Sequence, residues 1–168
     1  KNYYKTNDKR NALLHLGKAL ELFEAGGFTK KIGVAHNRIA MTYFELSGDW
    51  KKAEEHWLKT LEIREELNDS TGIARVKHYL GNVYQELDSY KKAREFYKES
   101  LEFWEAHDNV KKITQNLNSL GLLEKERERY YFAEKYLNQT LTLLDESDSE
   151  NKAKVLNNLG YLAYSRDN

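Results

Sequence analysis

The chain repeats itself every 40 residues or so, and that rhythm limits its fold more than any other feature. Four segments align without gaps, beginning at Ala12, Ala53, Ala93 and Ala133. These alanines stand 41, 40 and 40 residues apart, as do Leu20, Leu61, Leu101 and Leu141 eight places on. Between lies a large residue at +4 (Leu16, Trp57, Tyr97, Leu137) and a small one at +7 (Ala19, Thr60, Ser100, Thr140). Offsets of 4, 7 and 8 fall on one stripe of an α-helix. A second series lies between the first: Ala40-Met41, Leu80-Gly81, Leu120-Gly121 and Leu159-Gly160. It is followed at +3 from its small residue by Phe44, Tyr84, Glu124 and Ala163, with Glu124 departing from the aromatic pattern. A small residue in mid-helix lets another helix approach closely, at a cost of about 0.5–1 kcal/mol for glycine.

Each repeat therefore reads as two antiparallel helices. First helices are expected over about 31–47, 72–88, 110–127 and 150–165, and second helices over about 9–25, 50–68, 90–107 and 130–146. Turns are expected at Gly48-Asp49, Asp88-Ser89 and Glu128-Arg129, each followed by an aromatic (Trp50, Tyr90, Tyr130). Asn68-Asp69-Ser70, Asp108-Asn109 and Ser147-Asp148-Ser149 carry N-cap chemistry. The sequence contains no proline, which suits unbroken helices. No stretch alternates as a strand would.

The fold class expected is all-α: a right-handed superhelical α-solenoid spanning 1–168 as a single array. Its divisions are a partial repeat 1–28, full repeats at about 31–69, 72–109 and 110–148, and a partial repeat 150–168. Tyr3 falls in register with Phe44 and Tyr84, and Asn7-Asp8 with Gly48-Asp49. The expectation is a chain that starts inside a first helix, without an initiator Met, as a piece of a longer array. Its unmatched end faces offer a route to self-association. The aromatic-rich second helices (Trp57, Phe96, Tyr97, Phe103, Trp104) offer another.

Several function classes are disfavoured. The 27 basic and 27 acidic side chains cancel, which argues against a general nucleic-acid or anionic-membrane binder. There are no cysteines, so disulfides and thiolate chemistry are excluded. No apolar run approaches the roughly 18–20 residues that span a bilayer. Phosphate-loop, Gly-x-Ser-x-Gly and His-Glu-x-x-His patterns are absent. The histidines (15, 36, 56, 78 and 107) do not share a face at i, i+4, and the column holding His15 and His56 holds Phe96 and Tyr136 elsewhere. That substitution reads as packing. The expectation is no catalytic residue, no metal, no cofactor, and a cytoplasmic protein.

The pattern resembles the tetratricopeptide repeat family over essentially the whole chain. Leu80-Gly81, Tyr84, Tyr90, Ala93, Tyr97 and Ser100 carry the likeness in one repeat, and Leu120-Gly121, Tyr130, Ala133, Leu137 and Thr140 in the next. The usual period of about 34 residues is exceeded, as in the longer-repeat variety found in cytoplasmic sensor and scaffold proteins. The usual proline is missing. The resemblance implies that first helices line a concave groove and bind a protein or peptide segment. Carried over position by position, it reaches Ala35, Arg38, Thr42 and Glu45, then Arg75, His78, Asn82 and Gln85, then Gln115, Asn118, Leu122 and Lys125, then Lys154, Asn157, Tyr161 and Tyr164, with Asn158 added two before its glycine. Of these, Arg38, Thr42, Arg75, His78, Asn82, Gln85, Asn118, Lys125, Lys154, Asn157, Asn158 and Tyr161 are taken as the ligand-binding residues. Asn and Gln both donate and accept, so a row of them can hold a peptide backbone. Arg38 and Arg75 suit a carboxylate. The full Lys/Asn/Arg clamp of chaperone-binding members is not found. The resemblance implies a non-catalytic interaction module; the alternatives are a peptide-sensing domain of a larger regulator and a self-association module.

Overall fold

The computed structural model describes the backbone of residues 2–166 and the side chains of residues 8–166. It holds α1 (Asn2–Ala25), α2 (Thr29–Thr42), a π-helical extension of α2 (Tyr43–Ser47), α3 (Trp50–Glu66), α4 (Ser70–Glu86), α5 (Tyr90–Glu105), α6 (Val110–Glu126), α7 (Tyr130–Leu143) and α8 (Ser149–Arg166). There is no strand among the described residues. The all-α expectation holds, and helices α2 to α8 begin and end close to where the periodicity places them. None of the helices is long and apolar enough to cross a membrane among the described residues.

The chain divides into two compact units, Lys1–Asp88 and Ser89–Asn168. In the first, α1 packs on α2, α2 on α3 and α3 on α4. In the second, α5 packs on α6, α6 on α7 and α7 on α8.

The turns explain the punctuation. Gly27, Asn68 and Asp108 form one column of left-handed residues (φ 66°, 52° and 50°), and Gly48, Asp88 and Glu128 form another (φ 61°, 55° and 57°). After α3, Asn68 N–H donates to Glu65 O and Asp69 N–H to Arg64 O. The same pair of bonds closes α5 at Asp108 and Asn109 and α6 at Glu128 and Arg129. These bonds satisfy carbonyls that a helix end leaves bare. Only glycine reaches this conformation without cost, so Glu128 stores about 1 kcal/mol there. The next residue often starts the following helix: Asp69 accepts from Gly72 N at 2.8 Å, Asn109 from Lys112 N at 3.2 Å and Asp49 from Lys52 N at 3.3 Å. The Asx pairs thus split their work, the first ending a helix and the second capping the next.

One expectation fails. Asn7-Asp8 is not a turn: α1 runs through it without a break. Its counterpart Gly48 reaches positive φ easily, whereas continuing the helix at Asn7 keeps every backbone bond. The Tyr3 side chain lies outside the described residues.

The repeating columns build the core. In the first unit Trp57 is 1% exposed. It stacks on Tyr79 of α4 at 5.2 Å, and its indole N–H donates to Asn37 Oδ1 of α2 at 3.1 Å. In the second unit Ala133, Leu137, Val155 and Leu162 form the core between α7 and α8. Tyr97 and Trp104 are buried too. Trp57, Tyr97 and Trp104 therefore cannot form the self-association surface proposed for the second helices. Their area is already spent inside the units.

Two glycines at equivalent positions differ. A Cβ on Gly121 would stand 2.8 Å from Leu137 Cγ, whereas one on Gly160 would meet nothing within 4 Å. Gly121→Ala should therefore lose about 1–3 kcal/mol through overpacking. Gly160→Ala should gain about 0.5–1 kcal/mol through helix propensity. Urea unfolding of the two variants checks the opposite signs.

Candidate interaction surface

The twelve sequence-implicated residues lie on α2 and α4 in the first unit and on α6 and α8 in the second. In the first unit Arg38 is exposed and has no ion pair among the described residues. Thr42 is half-buried, and its hydroxyl donates to the Arg38 carbonyl at 2.9 Å. Arg75 is exposed; its Nε–H reaches the Thr71 carbonyl at 3.5 Å. Asn82 and Gln85 are half-buried one turn apart on α4. His78 is only 6% exposed and lies edge-on to Tyr79.

The second unit brings three of the residues together. Lys125 of α6 reaches toward α8, where its ammonium donates to Asn158 Oδ1 at 3.4 Å and stands 5.2 Å from the Tyr161 ring centre. An ammonium over an aromatic face is worth about 0.5–1 kcal/mol at an exposed site. Among the described residues Lys125 forms no ion pair with a carboxylate. Tyr161 and Tyr164 stay 57% and 69% exposed, a flat apolar strip with polar tips. Asn157 is exposed and Asn118 half-buried. Lys154 does not stand free: it pairs with Glu150 one turn earlier on α8.

Two polar clusters escape the sequence reading. Between α2 and α3, His36 Nδ1 and His56 Nδ1 lie 2.9 Å apart, so one ring donates and the other accepts. Tyr43, carried by the π-helical turn, stacks on His56 at 5.8 Å. Burial, then the neighbouring ring and Lys59, bring the His56 pKa down to about 4. Burial also lowers His36, with Lys59 adding and Glu24 of α1 opposing. The second cluster surrounds Glu124, 2% exposed on α6. Arg94 of α5 meets its Oε1 at 2.6 Å, and Arg129 approaches its Oε2 at 3.3 Å. The equivalent column in the first unit holds Tyr84, whose phenol pKa is raised by burial and by the carboxylate of Glu54. Glu54 and Arg94 occupy equivalent places. The sequence signal for the cluster was the letter Glu in an aromatic column; its partners come from 30 residues earlier and five later.

A family model described as "Tetratricopeptide repeat" matches residues 31–106. No curated protein matches the chain. Among crystal structures, the apo form of RapI is 28% identical with a TM-score of 0.79, over 91% of this chain and 56% of that one. BtubC (BKLC) from P. vanneervenii is 18% identical with a TM-score of 0.73, over 99% of this chain and 82% of that one. A signal transduction ATPase with numerous domains from Pyrococcus horikoshii, described as having a tetratricopeptide repeat sensor, is 17% identical with a TM-score of 0.79. That match takes in 94% of this chain and 24% of the ATPase. The chain thus spans a little over half of RapI and about a quarter of the ATPase.

Proposed function

We propose that this chain, whose residues 31–106 match the tetratricopeptide repeat family model, is a non-catalytic interaction module. It holds an extended segment of a partner protein against the exposed faces of its first helices. The observation that carries the reading is the Lys125–Asn158–Tyr161 group, which joins two successive first helices on one face. It offers an ammonium with no ion pair among the described residues, an amide and an aromatic plane. Arg38, Arg75, Thr42, Asn82 and Gln85 extend the same chemistry on the first unit, and Asn118, Asn157 and Lys154 on the second. His78, nearly closed to solvent, supports the wall and does not touch the segment.

Charge supports the partner's character. Arg38, Arg75 and Lys125 are basic, against Glu45 at a carried-over position, while Lys154 is already paired with Glu150, in a chain that is neutral overall. The partner segment therefore carries Asp or Glu. Affinity is moderate, because ordering a flexible peptide offsets part of the contact energy.

Selection of a randomised peptide library on the purified chain tests this. Acidic sequences should dominate, and Lys125→Ala with Tyr161→Ala should weaken the selected peptides at least tenfold with helicity unchanged. Adding Asn82→Ala, Asn118→Ala and Asn157→Ala should remove the remainder. Peptides that bind all these variants as well as the parent would refute the surface assignment.

A further inference from the structure

The π-helical turn that ends α2 houses one residue more than the repeat needs. After it, equivalent positions stand 40 apart: Gly48 and Asp88 both take left-handed φ, and α3 and α5 begin at Trp50 and Tyr90. Before it, they stand 41 apart: Gly27 and Asn68 share left-handed φ, and α2 and α4 begin at Thr29 and Ser70. A π turn closes from i to i+5, as Gly48 N–H does to Tyr43 O, and so takes in one residue more than an α turn. The equivalent turns of α4 and α6 are α-helical.

Burial follows the longer interval. Ala35, Val76, Asn116 and Val155 form one column, 3%, 3%, 1% and 2% exposed. Ile39-Ala40 is therefore the counterpart of Leu80-Gly81, and all four residues are buried. A constant step of 40 runs one residue late along α2. The residues equivalent to Arg75, His78 and Asn82 are Val34, Asn37 and Met41, not Ala35, Arg38 and Thr42. Ala35 is inside the unit, whereas Val34 is exposed and Met41 half-buried. Arg38 moves to the column of Asn158 and stays at the surface. Thr42 moves to the column of the buried Val83 and Leu123 and borders the row, its hydroxyl on the Arg38 carbonyl.

Asn37 is oriented by its neighbours. The Trp57 indole N–H only donates, so the Asn37 amide oxygen faces it at 3.1 Å and the amide nitrogen faces the Met41 sulfur at 3.7 Å. A thioether is a weak acceptor, so this nitrogen keeps donor capacity. Residues 34, 37 and 41 share one stripe of the helix.

Taking the peptide-binding reading as given, we infer that Asn37, Met41 and Val34 are the contacts of α2 with the partner segment. Asn37 donates its amide N–H to a backbone carbonyl of the segment, and Met41 and Val34 receive one of its apolar side chains. The unbranched thioether adapts to side chains of different shape. The segment thus carries an apolar residue in addition to its acidic ones.

The chain has a single methionine, so an isotope-labelled methionine methyl gives one NMR signal that reports on this spot alone. Titration with the tightest peptide from the randomised library should move that signal in step with binding. Met41→Gln should weaken the peptide about tenfold, whereas Met41→Leu, close in volume, should keep the affinity. Lys125→Ala with Tyr161→Ala is measured alongside. If that pair weakens the peptide while the methyl signal stays still or Met41→Gln binds fully, the contacts assigned to α2 are wrong and the peptide-binding reading stands. If the pair binds as the parent does, or the library yields no binder, that reading falls and the α2 contacts fall with it.

Discussion

Removal of the Glu124 carboxylate should cost about 3–5 kcal/mol, the loss characteristic of breaking one side of a buried ion pair. The carboxylate is inside the second unit and holds Arg94 and Arg129 at once. In Glu124→Ala both guanidinium groups keep their charge and lose their partner. Arg94 is the more enclosed, at 24% exposure against 37% for Arg129, so most of the penalty falls on it. Chemical denaturation of Glu124→Ala measures the loss. The preceding repeat suggests the rescue. Glu124→Tyr combined with Arg94→Glu transplants the Tyr84–Glu54 pair into the second unit. That double variant should regain most of the stability, because a phenol accepted by a carboxylate leaves only Arg129 to turn toward water. A loss below about 1 kcal/mol in the single variant would show that the cluster is solvated and not structural.

Acid should weaken the first unit through the His36–His56 pair. The sign follows from where protons bind. An unfolded histidine takes its proton near pH 6.5, whereas folded His56 resists until about 4. Below 6.5 the unfolded chain binds more protons than the folded one, so stability falls with pH. The contribution is full above pH 6.5 and declines through the window to about 4; the 1.36 kcal/mol per pKa unit, discounted for solvent screening of a half-buried ring, leaves about 2–3 kcal/mol. Lys59 sharpens the effect on both rings, and Glu24 of α1 moderates it at His36. A second proton on the pair also removes the acceptor of the ring-to-ring hydrogen bond. His56→Phe, the residue its column carries at Phe96, should flatten the urea midpoint between pH 7.5 and 4.5. The depressed carboxylates Asp49, Asp69 and Asp145 lose their contributions at pH below 3.8 and do not confuse this window. An equally steep decline in His56→Phe would place the sensitivity elsewhere.

The residue columns made the helix pairs legible. Ala53, Ala93 and Ala133 are fully buried, as are Thr60, Ser100 and Thr140 at the small position or nearly so. Column identity worked because one geometry recurs and each member faces the same kind of neighbour. It failed where the neighbour changes. His15 and His56 share a column, yet His15 is exposed while His56 meets a second imidazole. Asn7-Asp8 shares a register with Gly48-Asp49, yet only the glycine position turns. The candidate site divided in the same way. Lys125 and Tyr161 were implicated one at a time, and only packing of α6 near α8 put the ammonium over the ring.

Sequence alone determined the helices, their order and the inward stripe of each, because these follow from periodicity and from turn residues acting over a few positions. Tertiary structure decided which polar residues became partners. Glu124 and Arg94 are 30 residues apart, and His36 and His56 are 20 apart. No local rule links such pairs, since burial raises the cost of an unpaired charge or imidazole only once the helices have closed around it.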